Sequence, residues 1–174
     1  MNWGAICIVA GVLLVPMLCP VLGQITVEYN IQVAADGSAS WLITQSGTDI
    51  VVSPDNLTQF QNSVNALVQA VGDVTNRQMS VRGISMTSTI SGSYGIVQYK
   101  FLWVNFSMIE GSKIRVGDVF NVADMFLRLQ GDGEVVLNYP DTYELETVSP
   151  APFSQDDSLQ TMTWLGTKNL VGES

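Results

Sequence analysis

Residues 25–45, Ile25-Thr26-Val27-Glu28-Tyr29-Asn30-Ile31-Gln32-Val33 through Asp36-Gly37 to Trp41-Leu42-Ile43-Thr44-Gln45, alternate apolar and polar side chains with a period of two. Ile25, Val27, Tyr29, Ile31 and Val33 fall on one face and Thr26, Glu28, Asn30 and Gln32 on the other, which is the pattern of a half-buried strand. Asp36-Gly37 interrupts the run with residues suited to the positive φ angles of a tight turn, and Ala39, Trp41 and Ile43 then resume it. The stretch predicts a β-hairpin.

Downstream of the hairpin lies the one long helical pattern. Ser53 is placed to act as N-cap, Pro54 as first helical residue and Asp55 beside the positive end of the helix dipole. Leu57, Phe60, Val64, Leu67, Val68 and Val71 recur every three or four residues, and Gly72 stands where a left-handed C-cap is expected. A second hairpin is read from Met79 to Ile90, across Ser91–Gly95, and back along Ile96 to Phe106; Val97, Tyr99, Phe101 and Trp103 share one face of its return strand, which marks the expected centre of the sheet. Lys113 to Val116 reads as a short strand, and Gly117-Asp118 as the start of a brief helical turn carrying Phe120, Met125, Phe126 and Leu127. Glu134–Tyr139 and Tyr143–Val148 read as a third hairpin around Pro140-Asp141, followed by a polar loop and a last strand near Leu159–Leu165. The fold class that results is α+β: an antiparallel β-rich sheet or sandwich of about seven or eight strands with one long amphipathic helix packed on it.

Upstream of the hairpin the chain changes character. The first 23 residues carry no charged side chain, and Ala5 to Leu18 is a nearly unbroken apolar run closed by Pro20 and Gly23. This is the shape of a signal peptide, with the small or slim residues Val21 and Gly23 before a cleavage point and Gln24 as the new N-terminus. The alternative is an uncleaved anchor, since roughly 20 apolar residues span a bilayer as a helix. Residues 24–174 then form a single extracytoplasmic domain of ordinary size, able to bury a core without disulfides or metals.

All 7 Lys and Arg and all 16 Asp and Glu lie in that domain, so its formal net charge is the whole −9. A surface of that sign repels phosphate backbones and disfavours nucleic acid as a partner. Both cysteines, Cys7 and Cys19, lie in the leader, so the domain has no thiolate chemistry even in an oxidising compartment. The chain has no histidine, which removes Ser-His-Asp and Cys-His arrangements and most zinc or copper sites. It has no nucleophile elbow and no phosphate-binding glycine loop. Carboxylate chemistry survives these exclusions: Asp132, Glu134, Glu144 and Glu146 are candidates for a glycosidase-type pair, although Glu144 and Glu146 alternate with Tyr143 and Leu145 as solvent-facing strand residues do. The same chemistry would suit calcium at Gly131-Asp132-Gly133-Glu134 or Asp156-Asp157, neither of which matches an EF-hand loop. The expectation is a protein that is not an enzyme and needs no cofactor. Two glycosylation sequons occur, Asn56-Leu57-Thr58 and Asn105-Phe106-Ser107, of which Asn56 in a first helical turn is the more accessible.

Several stretches also carry a resemblance: Arg77-Gln78-Met79-Ser80-Val81, Tyr94-Gly95-Ile96-Val97 into Tyr99-Lys100-Phe101-Leu102-Trp103, Glu110-Gly111-Ser112-Lys113-Ile114-Arg115-Val116-Gly117-Asp118, Tyr139-Pro140-Asp141-Thr142-Tyr143-Glu144-Leu145 and Thr163-Trp164-Leu165-Gly166. Together they make most of residues 25–166 similar to an archaeal family of exported ectodomains of uncharacterised function. The resemblance implies a domain that in many members precedes a transmembrane helix and, in haloarchaeal members, a cytoplasmic winged helix-turn-helix domain. This sequence stops at Ser174 without a second apolar segment, so the regulator half is not carried over. The expected function is that of an envelope interaction or sensing ectodomain, located at the cell surface or outside it, held to the membrane by its N-terminal segment or by a C-terminal anchor beyond Ser174. A structural or adhesive surface component is the alternative, and a carboxylate-dependent hydrolase a remote one.

Overall fold

In the computed structural model, residues 25–122, 124–143, 150–167 and 170 are described. The opening hairpin forms as β1 (Thr26–Val33) and β2 (Ala39–Thr48), paired antiparallel from Thr26↔Ser46 to Val33↔Ala39. Only Gly37 takes a positive φ, 81°, at the turn. Asp36 contributes its carboxylate instead, accepting hydrogen bonds from the Ser38 backbone N–H at 2.9 Å and the Ser38 hydroxyl at 2.6 Å. Those bonds hold the Asp36 carboxyl below its usual pKa, the hydroxyl most of all.

From β2 the chain crosses the sheet as α1 (Asp55–Thr75). Asp55 occupies the first turn, and Ser53 Oγ accepts the Asp55 backbone N–H at 3.3 Å, one residue before the Pro54 boundary. The buried stripe is Phe60, Val64, Leu67, Val68 and Val71, and each such burial is worth about 1.5–3 kcal/mol. The helix does not stop at Gly72 as the sequence suggests. It continues one turn, and Asn76 takes the left-handed conformation (φ 53°) while the Arg77 N–H returns to the Gly72 carbonyl at 3.0 Å. Gly72 is needed for a different reason: a Cβ there would lie 2.9 Å from the Arg77 carbonyl oxygen of the reversing chain.

The second hairpin is β3 (Ser80–Ser91) and β4 (Tyr94–Val104), closed by Gly92 and Ser93. Its ladder breaks between Arg82 and Ser85, where Gly83 has a φ of 64°. A small separate ribbon, β5 (Met108–Glu110) with β6 (Lys113–Arg115), a 3-10 turn at Asp118–Asn121 and α2 (Met125–Leu129) lead to β7 (Glu134–Asn138). Phe120, Met125 and Phe126 are buried as their spacing implies, whereas Leu127 faces out. The last strands are β8 (Ser154–Asp156), in what reads as a polar loop, and β9 (Thr161–Trp164).

Seven of these strands make one sheet in the order β3-β4-β2-β1-β7-β9-β8. This corrects two expectations. The sheet is mixed, because β7 lies parallel to β1, Glu28 beside Glu134 and Gln32 beside Asn138. And β4, although a core strand, is not the centre; β1 is, with β2 and β7 on its two sides. A parallel neighbour arriving from far along the chain leaves no turn signal by which sequence could reveal it. The antiparallel partner of β7 is β9, and the proposed strand Tyr143–Val148 lies, from Glu144 on, outside the described residues.

One face of the sheet carries the core. Trp41 sits among Phe101 (5.6 Å between ring centroids), Trp103 (5.8 Å), Phe106 (5.6 Å) and Tyr29 (6.5 Å), and Phe60 of α1 stacks on Tyr99 at 4.2 Å. Phe106, Phe120 and Phe126 continue the ring contacts to Tyr29.

The parallel junction of β1 and β7 turns on Gly133, where a Cβ would overlap the backbone carbonyl of Val27. Gly133→Ala therefore has to push the two strands apart. Expected is a loss of about 1–3 kcal/mol, the cost of overpacking a close-packed contact, read as a lower urea midpoint at unchanged slope, while Gly92→Ala in the open turn, where a Cβ meets nothing within 4 Å, costs only its positive φ.

Candidate functional site

Helices cover one side of the sheet; on the other side no element among the described residues covers the strands, and the side chains there are polar in a particular way. Strand registers bring Thr87, Gln98, Thr44, Glu28 and Glu134 into one row across β3, β4, β2, β1 and β7. The next row runs Ser85, Lys100, Leu42, Asn30, Val136, Thr163 and Ser154, from one sheet edge to the other. Neutral side chains tie the strands together here. Gln98 Nε2 donates to Thr44 Oγ1 (3.4 Å), the hydroxyls of Thr26 and Ser46 meet at 2.8 Å, Asn138 Nδ2 donates to Asn30 Oδ1 (3.3 Å), and Thr161 Oγ1 donates to Asn138 Oδ1 (2.8 Å). Leu42, Leu102 and Val136 are half-buried among them. Charge is divided across the face: Arg82 and Lys100 lie on the β3–β4 flank, Glu28, Glu134 and Asp156 on the β1–β7–β8 flank. Such a face offers paired hydrogen-bonding groups and modest apolar area, which suits recognition of an extended surface better than enclosure of a small molecule.

Of the carboxylates singled out by sequence, Asp132, Asp156 and Asp157 are engaged in hydrogen bonds of their own. Asp132 Oδ1 accepts the Thr167 backbone N–H at 2.9 Å and its hydroxyl at 2.6 Å, so this residue caps the turn at 167. Asp156 Oδ1 does the same for Ser158 (2.9 and 2.6 Å) and Leu159 (3.2 Å), and the Ser158 hydroxyl first, then the Leu159 N–H, hold the Asp156 carboxyl below its usual pKa. Asp157 Oδ1 accepts the Gln155 side-chain amide at 2.7 Å. Glu134 is brought beside Glu28, a neighbour that sequence spacing could not reveal. Among the described residues no group of three or more His, Cys, Asp or Glu is arranged to hold a metal ion, and Glu144 and Glu146 lie outside them. Among the described residues, no helix is long and apolar enough to cross a membrane.

Tyrosine chemistry is equally structural. Tyr29 is fully buried and its hydroxyl donates to the Gly131 carbonyl at 2.7 Å, fastening β1 to the segment after α2. Burial, with the Asp132 charge adding to it, pushes the Tyr29 phenol well above its ordinary value, so it acts as a neutral donor.

Arg77 and Asp118, two residues of the quoted motifs, meet in space. The Arg77 guanidinium donates to both Asp118 carboxylate oxygens (2.9 and 2.8 Å) and to the Asn105 carbonyl (3.2 Å). It joins the end of α1, the end of β4 and the 3-10 turn, which gives those motif residues a structural role that their separation in sequence concealed. Asn105 itself is left-handed (φ 58°), and its Nδ2 donates to the Gln78 carbonyl at 2.7 Å, so the amide that a glycan would need is part of the same junction. The amide of Asn56 makes only a long bond, 3.3 Å, to the Val51 carbonyl. Exposure runs against the expectation from sequence: β4 ends at Val104 and leaves Asn105 exposed, while Asn56 is half-buried.

A family model described as a domain of unknown function (DUF7345) matches residues 47–143, more than half of the chain and the whole run from the end of β2 through β7. No curated protein matches the chain.

The Arg77–Asp118 pair is partly exposed, its side chains 15% and 31% accessible, which tempers its Coulomb energy. Arg77→Ala and Asp118→Ala are each expected to cost about 1–2 kcal/mol, and the double variant less than the sum of the two; a double-mutant cycle from urea unfolding measures the coupling, and strict additivity would mean the two side chains do not act together.

Proposed function

The chain belongs to the DUF7345 family, and from that premise we propose that it is a non-catalytic extracytoplasmic domain of an archaeal envelope protein, which recognises an envelope or extracellular partner. The single observation that supports this reading is the open sheet face, a cross-linked field of neutral amides and hydroxyls that no element of the described chain covers. The uncharged leader of residues 1–23 supplies the route outward, and the excess of acidic residues keeps polyanions away. In this reading the carboxylates of Asp36, Asp132 and Asp156 hold turns in shape. The partner binds across strands rather than in a cleft.

Expression in an archaeal host tests location and contact together. The product is expected to begin at Gln24 by intact mass and to be digested by protease added to whole cells. A photo-cross-linking residue at Leu102 on the open face is expected to give a discrete cross-linked species, where one at Gln69 on the exposed side of α1 gives none. A product that starts at Met1 and resists protease until lysis would overturn the extracytoplasmic reading; equal cross-linking from both positions would overturn the open face as the contact surface.

Export also makes the sequons available for glycosylation. The glycan is expected on Asn56, so Asn56→Gln removes the added mass while Asn105→Gln leaves it; the reverse pattern would mean that modification precedes formation of the Arg77–Asp118–Asn105 junction.

A further inference from the structure

Strand β3 is an outer strand of the seven-stranded sheet, and beyond its bulge Ser85–Ser91 pairs with β4 without a break in register. Ser91 faces Tyr94 across the two-residue turn. In an antiparallel ladder closed by such a turn the flanking pair exchanges both hydrogen bonds, and every second residue after it does likewise. Ser91, Thr89, Thr87 and Ser85 therefore turn their backbone groups to β4, and Ile90, Ser88 and Met86 turn theirs outward. Edge strands are ordinarily blunted by charge, proline or a bulge. Ser85–Ser91 has none of these: the bulge and Arg82 lie before it, and the turn lies after it.

The segment reads Ser-Met-Thr-Ser-Thr-Ile-Ser, which is the same pattern in both directions about Ser88, with Met86 and Ile90 as the one exchanged pair. The geometry points to a second copy of this chain as the occupant of the edge, paired antiparallel through Ser85–Ser91 about a two-fold axis at Ser88. Under that axis Ser85 lies opposite Ser91, Met86 opposite Ile90 and Thr87 opposite Thr89, so hydroxyl meets hydroxyl and apolar meets apolar in every pair. Ile90, half exposed at 52% in the single chain, gains an apolar neighbour. The outward groups of Met86, Ser88 and Ile90 match their own counterparts and supply about six backbone hydrogen bonds. No charged residue lies within the paired segment, and the axis sends the two Arg82 side chains to opposite ends. An arbitrary extended peptide would satisfy the backbone but not this two-way side-chain match. The contact is isologous and closes on itself, giving a dimer with one continuous sheet rather than a fibre.

A single strand pair falls below the roughly 1,200 Å² of a standard stable interface, so association is expected at a dissociation constant of about 10 µM or weaker. Each copy carries a net charge of −9, and because salt screens that repulsion the dimer is expected to tighten as ionic strength rises. Sedimentation equilibrium of the purified chain is expected to show a monomer–dimer equilibrium. Ser88→Pro, which removes an outward N–H and no bond to β4, is expected to weaken dimerisation at least tenfold while circular dichroism stays native. A copy with Thr87→Lys and Thr89→Lys, and one with Thr87→Glu and Thr89→Glu, are each expected to be monomeric, and their mixture to associate. A chain that stays monomeric at millimolar concentration, a dimer indifferent to Ser88→Pro, or folded charge variants whose mixture does not associate would each overturn the pairing. None of these results bears on the cellular location of the protein, so the two readings fail separately.

Discussion

Trp41 is where the covered side of this protein is decided. It lies fully buried near the middle of the sheet, and rings from β4, from the segment after β4 and from β1 close around it. A wide sheet with so many aromatics on one face cannot leave that face in water. α1 answers that requirement for the β3–β4 half, and the 3-10 turn with α2 answers it for the remainder through Phe120 and Phe126. The crossover, the Arg77–Asp118 junction and the Tyr29 hydroxyl bond then follow as means of holding these covers in place.

How much of this is legible in sequence depends on the range of the interaction. The β1–β2 and β3–β4 hairpins, the α1 stripe and the inward face of Val97, Tyr99, Phe101 and Trp103 are all local periodicities, and the side chains lie where those periodicities put them except at the element ends, where Ile25 is exposed and Leu57 only half-buried. The glycine signal places the C-cap a turn too early, because Gly72 is set by a close backbone approach that only the folded chain creates. The parallel β1–β7 pair carries no local signature, and the three-residue β8 is too short to show an alternation, although the turn held by Asp156 joins it directly to β9.

The functional reading follows the same division. Exposed carboxylates look alike in a sequence whether they cap a turn or await a ligand, and Asp132 and Asp156 are distinguished only by the serine and threonine groups that reach them. The open face was legible as a set of outward residues, Thr26, Glu28, Asn30 and Gln32, but its cross-strand network was not, because the partners come from β2, β7 and β9. Family membership comes without an assigned role, so the chemistry of that face carries the functional argument.

The parallel contact of β7 with β1 also sets an order of events. Asn138 meets Asn30 across 108 positions of chain, and closing so long a loop is entropically slow. The β3-β4-β2-β1 half with α1 consists of nearer neighbours and can assemble first, which leaves one side of β1 without its backbone partners until Glu134–Asn138 arrives. A chain that folds from its N-terminal part would spend that interval with a vacant slot in the middle of its future sheet. The step that fills the slot, rather than formation of either hairpin, then governs how fast the protein matures and how long it is vulnerable to mispairing.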